Sequence, residues 1–337
     1  MIQSSRVIVF TLIGLIALVG FGCWLLLGAV QHRVEPLCLK TVAEAEPPHF
    51  WETAHPPAED EVWELGYDDG LHLQVDRDPQ RIASSLPGIT EMIAFLGRGK
   101  RLVAVTDYCD YPSELVKDVE KISVLPYDPE GLLTTRPDLL VVDRRMHRRD
   151  LDVIRRRVPN VLLLDTSSSL GHLQQSLLLL YSVLGADEGR EEAYAAWDRR
   201  YRELVATLQA ARPEVPPRVL VVAQWDPLYV LGRGSLIDDL LRICGCVNIA
   251  CDLESDASGT FPEELVIARR PDWILTPREP MPERLRERWK NLPAVKTDSF
   301  INGSGDDLVR AGPRILEGLE RLARALQASS KSAEAAK

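Results

Sequence analysis

A single amphipathic stripe, standing between two similar series of apolar runs, most narrows the folds open to this chain. In residues 188–212, EGREEAYAAWDRRYRELVATLQAAR, the apolar residues Tyr194, Trp197, Tyr201, Leu204 and Leu208 step by 3, 4, 3 and 4 positions. That spacing puts all five on one face of an α-helix. Pro213 and Pro216-Pro217 end it, because proline lacks an amide hydrogen and its ring clashes with the preceding turn. At 1.5 Å per residue, about 24 residues span roughly 36 Å. A helix of that length between two like series predicts a strut that joins two lobes and limits their relative motion.

Before the strut, strands are expected at Ile82-Ala83, Leu102–Val105, Leu139–Val142 and Val161–Leu164, with helices around Thr90–Leu96, Ser113–Val119 and Arg148–Val158. After it come a strand at Val219–Ala223, a helix at Leu236–Cys244, a strand at Trp273–Leu275, a helix at Glu283–Leu292 and a last helix beyond Pro313. Continuous apolar strands alternating with helices indicate parallel sheets covered on both faces, so the fold class is α/β. The two series also echo each other. In PEGLLTTRPDLLVV (129–142) and EELVIARRPDWIL (263–275), an acid lies seven residues before a Pro-Asp pair and a strand. Glu130 and Glu264 are therefore expected to be counterparts in duplicated lobes.

The N-terminus departs from this pattern. VIVFTLIGLIALVGFGCWLLLGAV, Val7 to Val30, carries no charge and is long enough as a helix to cross a hydrocarbon core of roughly 30 Å. Residues 1–30 are read as a membrane anchor or a signal segment. Gly20-Phe21-Gly22 offers small residues at a cleavage spacing. Cleavage there would leave CWLLLGAV exposed, and lipidation at Cys23 shares that flaw, so a retained transmembrane helix is the favoured reading. Residues 31–61, with EAEPPHF and HPPAEDE, read as a flexible linker. VWELGYDDGLHLQV then has the composition of a β-hairpin turning at Asp-Gly. The expected division is an N-terminal lobe with this leading hairpin at 62–187, the connecting helix at 188–212, a C-terminal lobe at 213–328 and a disordered tail at 329–337.

Chemistry-bearing motifs are sparse. A formal net charge of −10 argues against non-specific nucleic-acid binding, which needs a basic footprint. The six cysteines, at 23, 38, 109, 244, 246 and 251, form no CxxC pair. They are read as buried thiols, with one disulfide among Cys244, Cys246 and Cys251 left open. The six histidines are scattered, and none has helical spacing to another, so no metal site is assigned. Ser167 to Ser169 lack a nucleophile elbow. Gly97-Arg98-Gly99-Lys100 lacks the phosphate-loop pattern and reads as a helix-ending turn. No catalytic residue and no cofactor are expected.

What remains is the stretch TDYCDYP, residues 106–112, directly after the apolar run Leu102–Val105. Loops beyond the carboxyl ends of parallel strands form the crevice where open α/β sheets bind ligands. Tyr108 is expected to face that cleft, and Asp110 to cap a helix opening at Pro112-Ser113. In the second series, VVAQWDPLYVLGRGSLIDDLL runs from a strand into Trp225, Asp226, Pro227 and Tyr229. Asp-Pro after Trp225 suggests that the chain has left the sheet, which makes Trp225 and Tyr229 the opposing wall.

RIASSLPGITEMIAFLGRGKRLVAVTDYCDYPSE, LIDDLLRICGCVNIA, WKNLPAVKTDSFIN and RAGPRILEGLERLA, in that order over residues 80–327, resemble the vitamin B12 and iron-siderophore substrate-binding proteins of ABC importers. The resemblance implies two Rossmann-like lobes joined by one long rigid helix, working as a monomer outside the cytoplasmic membrane. It implies a metal chelate held in the cleft, a corrinoid or an iron-siderophore or haem, and delivery to an ABC permease. Glu130 and Glu264 match the glutamates that dock onto arginines of the permease. Tyr108 and Asp306 match ligand-contacting positions. Val124, Asp143 and Ser258 stand where pocket tryptophans are usual, with Trp225, Tyr229 and Tyr127 as substitutes. Arg144, with Arg145, His147 and Arg148, lies where siderophore receptors keep basic residues for anionic ligands. A two-lobed α/β enzyme such as a metal chelatase is the rival of another class.

Overall fold

The computed structural model describes residues 51–335 apart from 56–62, 68–71, 77, 124–127, 147, 159, 186, 188, 254–256, 277–278, 303–305 and 309. The expected anchor and most of the expected linker lie outside the described residues. Among the described residues, no helix is long and apolar enough to cross a membrane.

The described chain opens with β1 (Trp51–His55), β2 (Trp63–Tyr67) and β3 (His72–Val75). The expected hairpin is β2–β3, antiparallel with Trp63 opposite Val75. β1 falls inside the stretch read as a linker, yet it pairs antiparallel with β2. Its prolines flank the strand rather than interrupt it, so pairing is possible, with a register shift between Trp51 and Thr53.

Next come β4 (Ile82–Ser84), α1 (Pro87–Phe95), β5 (Leu102–Thr106), α2 (Ser113–Val116), β6 (Glu120–Ile122) and α3 (Pro129–Thr134). The lobe is completed by β7 (Leu139–Asp143), α4 (Arg148–Arg155), β8 (Asn160–Leu164) and α5 (Leu170–Leu184). The sheet order is β6-β5-β4-β7-β8, all parallel. Every residue of β7 and β8 is buried, as helices on both faces require. Gly97 ends α1 with a φ of 82°, the helix-ending turn expected there. Sequence reading missed α5, because the run of leucines at 177–180 blurs the helical period. Ser169 caps α5, its Oγ accepting from His172 N at 3.0 Å.

The strut is α6 (Arg190–Ala210), 21 residues long. Trp197 and Leu208 are buried on it, and Tyr194, Tyr201 and Leu204 are partly buried. The C-terminal lobe contains β9 (Arg218–Trp225), β10 (Leu228–Leu231), α7 (Leu236–Ile243), β11 (Val247–Asn248), β12 (Ser258–Thr260) and α8 (Glu263–Arg269). β13 (Trp273–Thr276), α9 (Glu283–Arg288), α10 (Pro293–Lys296), β14 (Phe300–Asn302) and α11 (Ile315–Ala335) follow. The sheet runs β12-β10-β9-β13-β14 with β11 also on β9; β10 runs antiparallel to both β12 and β9, and the other pairings are parallel. The tail read as disordered instead continues α11 to Ala335, its alanines, lysine and glutamate being good helix formers.

The echo between the lobes extends to single hydrogen bonds. α3 ends at Arg136 with φ 47° and α8 at Arg270 with φ 48°. Each is followed by Pro-Asp and an inner strand. Asp138 N donates to Arg81 O at 2.9 Å, and its carboxylate accepts from Gln80 N and Arg81 N at 2.8 Å. Asp272 N donates to Arg218 O at 2.8 Å, and its carboxylate accepts from Arg218 N at 2.9 Å. In both lobes the aspartate stitches the incoming strand to the foot of the first.

Two cores hold this together. Val219 and Val221 of β9 join a core that runs from the N-terminal lobe through α6, α7 and α11. Leu220 and Val222 point the other way, into a second core with Trp225, Ile274 and Trp289. That alternation is the two-residue period of a strand buried on both faces. The larger core spans both lobes because α11 crosses back over the strut. Trp197 Nε1 donates to Pro313 O at 2.7 Å, and Arg200 pairs with Glu317 at 2.7 Å and Glu320 at 2.9 Å. At the start of α11, Gly88 of α1 lies so close that a Cβ there would sit 2.1 Å from Ala311 O. Only glycine fits that crossing.

Cys109, Cys244 and Cys246 are free, and burial pushes the Cys244 thiol up to about 12. Cys251 is disulfide-bonded, so no bridge joins it to Cys244 or Cys246. Alkylating the denatured protein before and after reduction, followed by peptide mass spectrometry, should label Cys109, Cys244 and Cys246 in both cases. Cys251 should be labelled only after reduction.

Candidate functional site

The loops that leave the strands of one lobe meet those of the other along a seam. At one end, Arg145, just past β7, donates from Nη2 to Gly234 O at 2.8 Å and to Ser167 O at 3.2 Å. Leu236 N at the head of α7 donates to Ser167 O at 2.8 Å, and Leu170 N donates to the Asp239 carboxylate at 2.8 Å. Burial pushes the carboxyl of Asp239 above its ordinary range, opposed by Arg242. At the other end, Asp110, past β5, forms a two-pronged ion pair with Arg310, past β14.

Tyr108, expected to face the cleft, is 61% exposed in the loop after β5. The loop hangs on Cys109, which is buried. Its sulfur lies 3.2 Å from Thr106 Oγ1 and 3.3 Å from Thr90 Oγ1, and its carbonyl accepts from Lys121 Nζ at 2.6 Å. Asp110 is not the expected helix cap: α2 has Pro112 at that position and no side-chain cap bond. The Asp110 carboxylate is drawn instead to Arg310, whose guanidinium holds its carboxyl below the usual range.

The opposing wall differs from expectation. The chain does not leave the sheet at Trp225: β9 runs through it and turns at Asp226-Pro227 into β10. Trp225 is 6% exposed, its ring edge-on to Trp289 at 6.3 Å and its Nε1 donating to Glu279 O at 3.1 Å. It is a core residue. Tyr229, on the opposite face of β10 from buried Val230, is 36% exposed, with its hydroxyl 3.2 Å from Ser258 Oγ. Asp306 sits in a single 3₁₀ turn, Asp306–Leu308, between β14 and α11. Tyr127, Val124 and His147 lie outside the described residues.

Arg144 is half-buried, its Nη1 3.8 Å from Asp165 Oδ2, so part of its charge is already offset. Arg145 bonds to carbonyls and keeps its full charge. Asp143 is buried and braces the turn, accepting from Thr166 N at 3.1 Å, Thr166 Oγ1 at 2.8 Å and Arg145 N at 3.0 Å. Glu130 and Glu264 are both exposed in the first turns of α3 and α8.

Sequence reasoning missed the seam itself. Arg310 and Arg314 were visible only as part of RAGPR, and their partners Asp110 and Glu91 lie 200 and 223 residues away. No local period reports such a pairing.

Two lobes built on largely parallel sheets, bridged by one long helix and touching through their strand-end loops, define a two-lobed α/β protein. The chain belongs to the periplasmic binding protein family, whose sequence model matches residues 82–305. It is 24% identical over 274 residues to an uncharacterised ABC transporter substrate-binding lipoprotein of Bacillus subtilis, covering 79% of this chain and 86% of that protein. The crystal structure of the periplasmic vitamin B12-binding protein of Vibrio cholerae is similar at a TM-score of 0.64 and 25% identity, over 75% of this chain and 98% of that one. A periplasmic haem-binding protein from Roseiflexus matches at a TM-score of 0.62 and 26% identity, over 73% and 97%.

Proposed function

We propose that this chain is the extracytoplasmic receptor of an ABC importer, tethered by residues 7–30, which grips a metal chelate between its lobes and passes it on unaltered. The carrying observation is the exposed Tyr108 in the loop after β5, directly followed by the buried and hydrogen-bonded Cys109. A phenol ring held out from a fixed loop presents flat apolar area with a polar tip, which suits a macrocycle. Tyr229 and Asp306 are the proposed contacts from the other lobe, and Glu130 and Glu264 the proposed contacts with the permease. The disulfide at Cys251 supports an oxidising compartment.

A corrinoid is the first reading. Arg145, with its charge intact beside Arg144, favours a second: an anionic chelate such as haem or a ferric siderophore. Titrating the purified protein with cyanocobalamin, haemin and a ferric catecholate, following tryptophan fluorescence, separates them. Saturable binding of cyanocobalamin alone supports the corrinoid. Binding only of the anionic chelates, weakened at least fivefold in Arg145→Gln, supports the second. Conversion of a porphyrin and free metal into product would place the chain with the chelatases instead.

A further inference from the structure

We propose that Asp110 and Arg310 form a latch that ties the Tyr108 loop to segment 310–314, positions Tyr108 and sets how long the cleft retains its ligand. The latch rests on the receptor reading above only for its effect on ligand, not for its effect on the loop.

Each half of the pair lies beside a proposed contact. Asp110 is two residues from Tyr108, and Arg310 four residues from Asp306. The Arg310 side chain is 15% exposed and that of Asp110 64%, so the guanidinium is seated and the carboxylate reaches to it from the open loop. Two parallel N–H···O contacts fix both distance and angle, which a single contact does not. Arg310 is itself held from behind. Four residues on, Arg314 makes its own two-pronged contact with Glu91, at 2.6 and 2.9 Å, and lies 4.0 Å over the ring of Tyr111. Segment 310–314 of the C-terminal lobe is thus bolted to α1 at one end and offers Arg310 to the Tyr108 loop at the other. Within its own lobe that loop is secured at Cys109, and beyond it Asp110 and Tyr111 meet arginines of segment 310–314.

With its carboxylate open to solvent, this ion pair adds little to the stability of the fold. Its effect is positional, and this separates a latch from a merely structural contact. The test compares Asp110→Asn, Arg310→Gln and the exchanged pair Asp110→Arg with Arg310→Asp. In the ligand-free protein, amide hydrogen exchange at residues 107–111 should quicken about tenfold in each single variant and return toward wild type in the exchanged pair. The melting temperature should move by no more than about 2 °C. With cyanocobalamin or haemin, whichever binds, dissociation should quicken about five- to tenfold in the single variants and recover in the exchanged pair. Wild-type exchange at 107–111 in both single variants, or no recovery in the exchanged pair, overturns the latch. If neither chelate binds the wild-type protein, the receptor reading fails, and the ligand-free exchange measurement still decides the latch.

Discussion

Glu91→Ala will lower the stability of the protein by about 2–3 kcal/mol, seen as an earlier urea midpoint with an unchanged slope. Glu91 is 3% exposed within α1 and receives both prongs of Arg314. Removing one partner of a fully buried pair costs about 3–5 kcal/mol, because the other charge is stranded. Arg314 keeps a third of its side-chain exposure and can turn partly to water, so a smaller loss is expected. Glu91→Gln retains hydrogen-bond acceptance without the charge and should lose less. Gly88→Ala strikes the same crossing by steric means, since its Cβ meets backbone rather than a movable side chain, and should destabilise in the same direction. A midpoint for Glu91→Ala within error of wild type would show that segment 310–314 is held by apolar packing alone.

Reversing both lobe-tip acids, Glu130→Lys with Glu264→Lys, should reduce ligand uptake by whole cells at least tenfold while leaving affinity in solution unchanged. Both side chains are exposed at helix starts, and among the described residues neither makes an ion pair or a side-chain hydrogen bond. The fold therefore has little to lose from their replacement. At a docking interface, a like charge set against a partner's arginine both loses an attraction and adds a repulsion. Each single reversal should give an intermediate defect, because the two lobes dock separately. Normal uptake by the double variant would remove these glutamates from the transport interface.

The two effects differ in how visible they were. Glu130 and Glu264 emerged from the repeated acid, Pro-Asp and strand, a pattern written within thirteen or fourteen consecutive residues of each lobe. The structure extends that pattern to the Arg136 and Arg270 backbones and to the Asp138 and Asp272 stitches. Glu91 and Asp110 gave no such sign. Asp110 beside Pro112-Ser113 fits a helix cap by every local criterion, and Trp225 before Asp-Pro fits a loop residue on the cleft wall. Both assignments failed through contacts made elsewhere: Arg310 outbids the helix terminus for the carboxylate, and Trp289 fills the space beside Trp225. The missed α5 is a third case, since its consecutive leucines mask the helical stripe.

Composition and period alone therefore determined the α/β class, the strut with its buried Trp197 and Leu208, the doubling of the lobes and the loop that bears Tyr108. These follow from interactions among residues a few positions apart, where side-chain direction repeats with the backbone. The tertiary structure alone decided which aromatic is core and which is surface, and that α11 returns across the strut. It also decided that arginines near the C-terminal end hold the Tyr108 loop. Those outcomes depend on chain segments some two hundred residues apart meeting at one seam, and closure of the fold, not local spacing, brings them together.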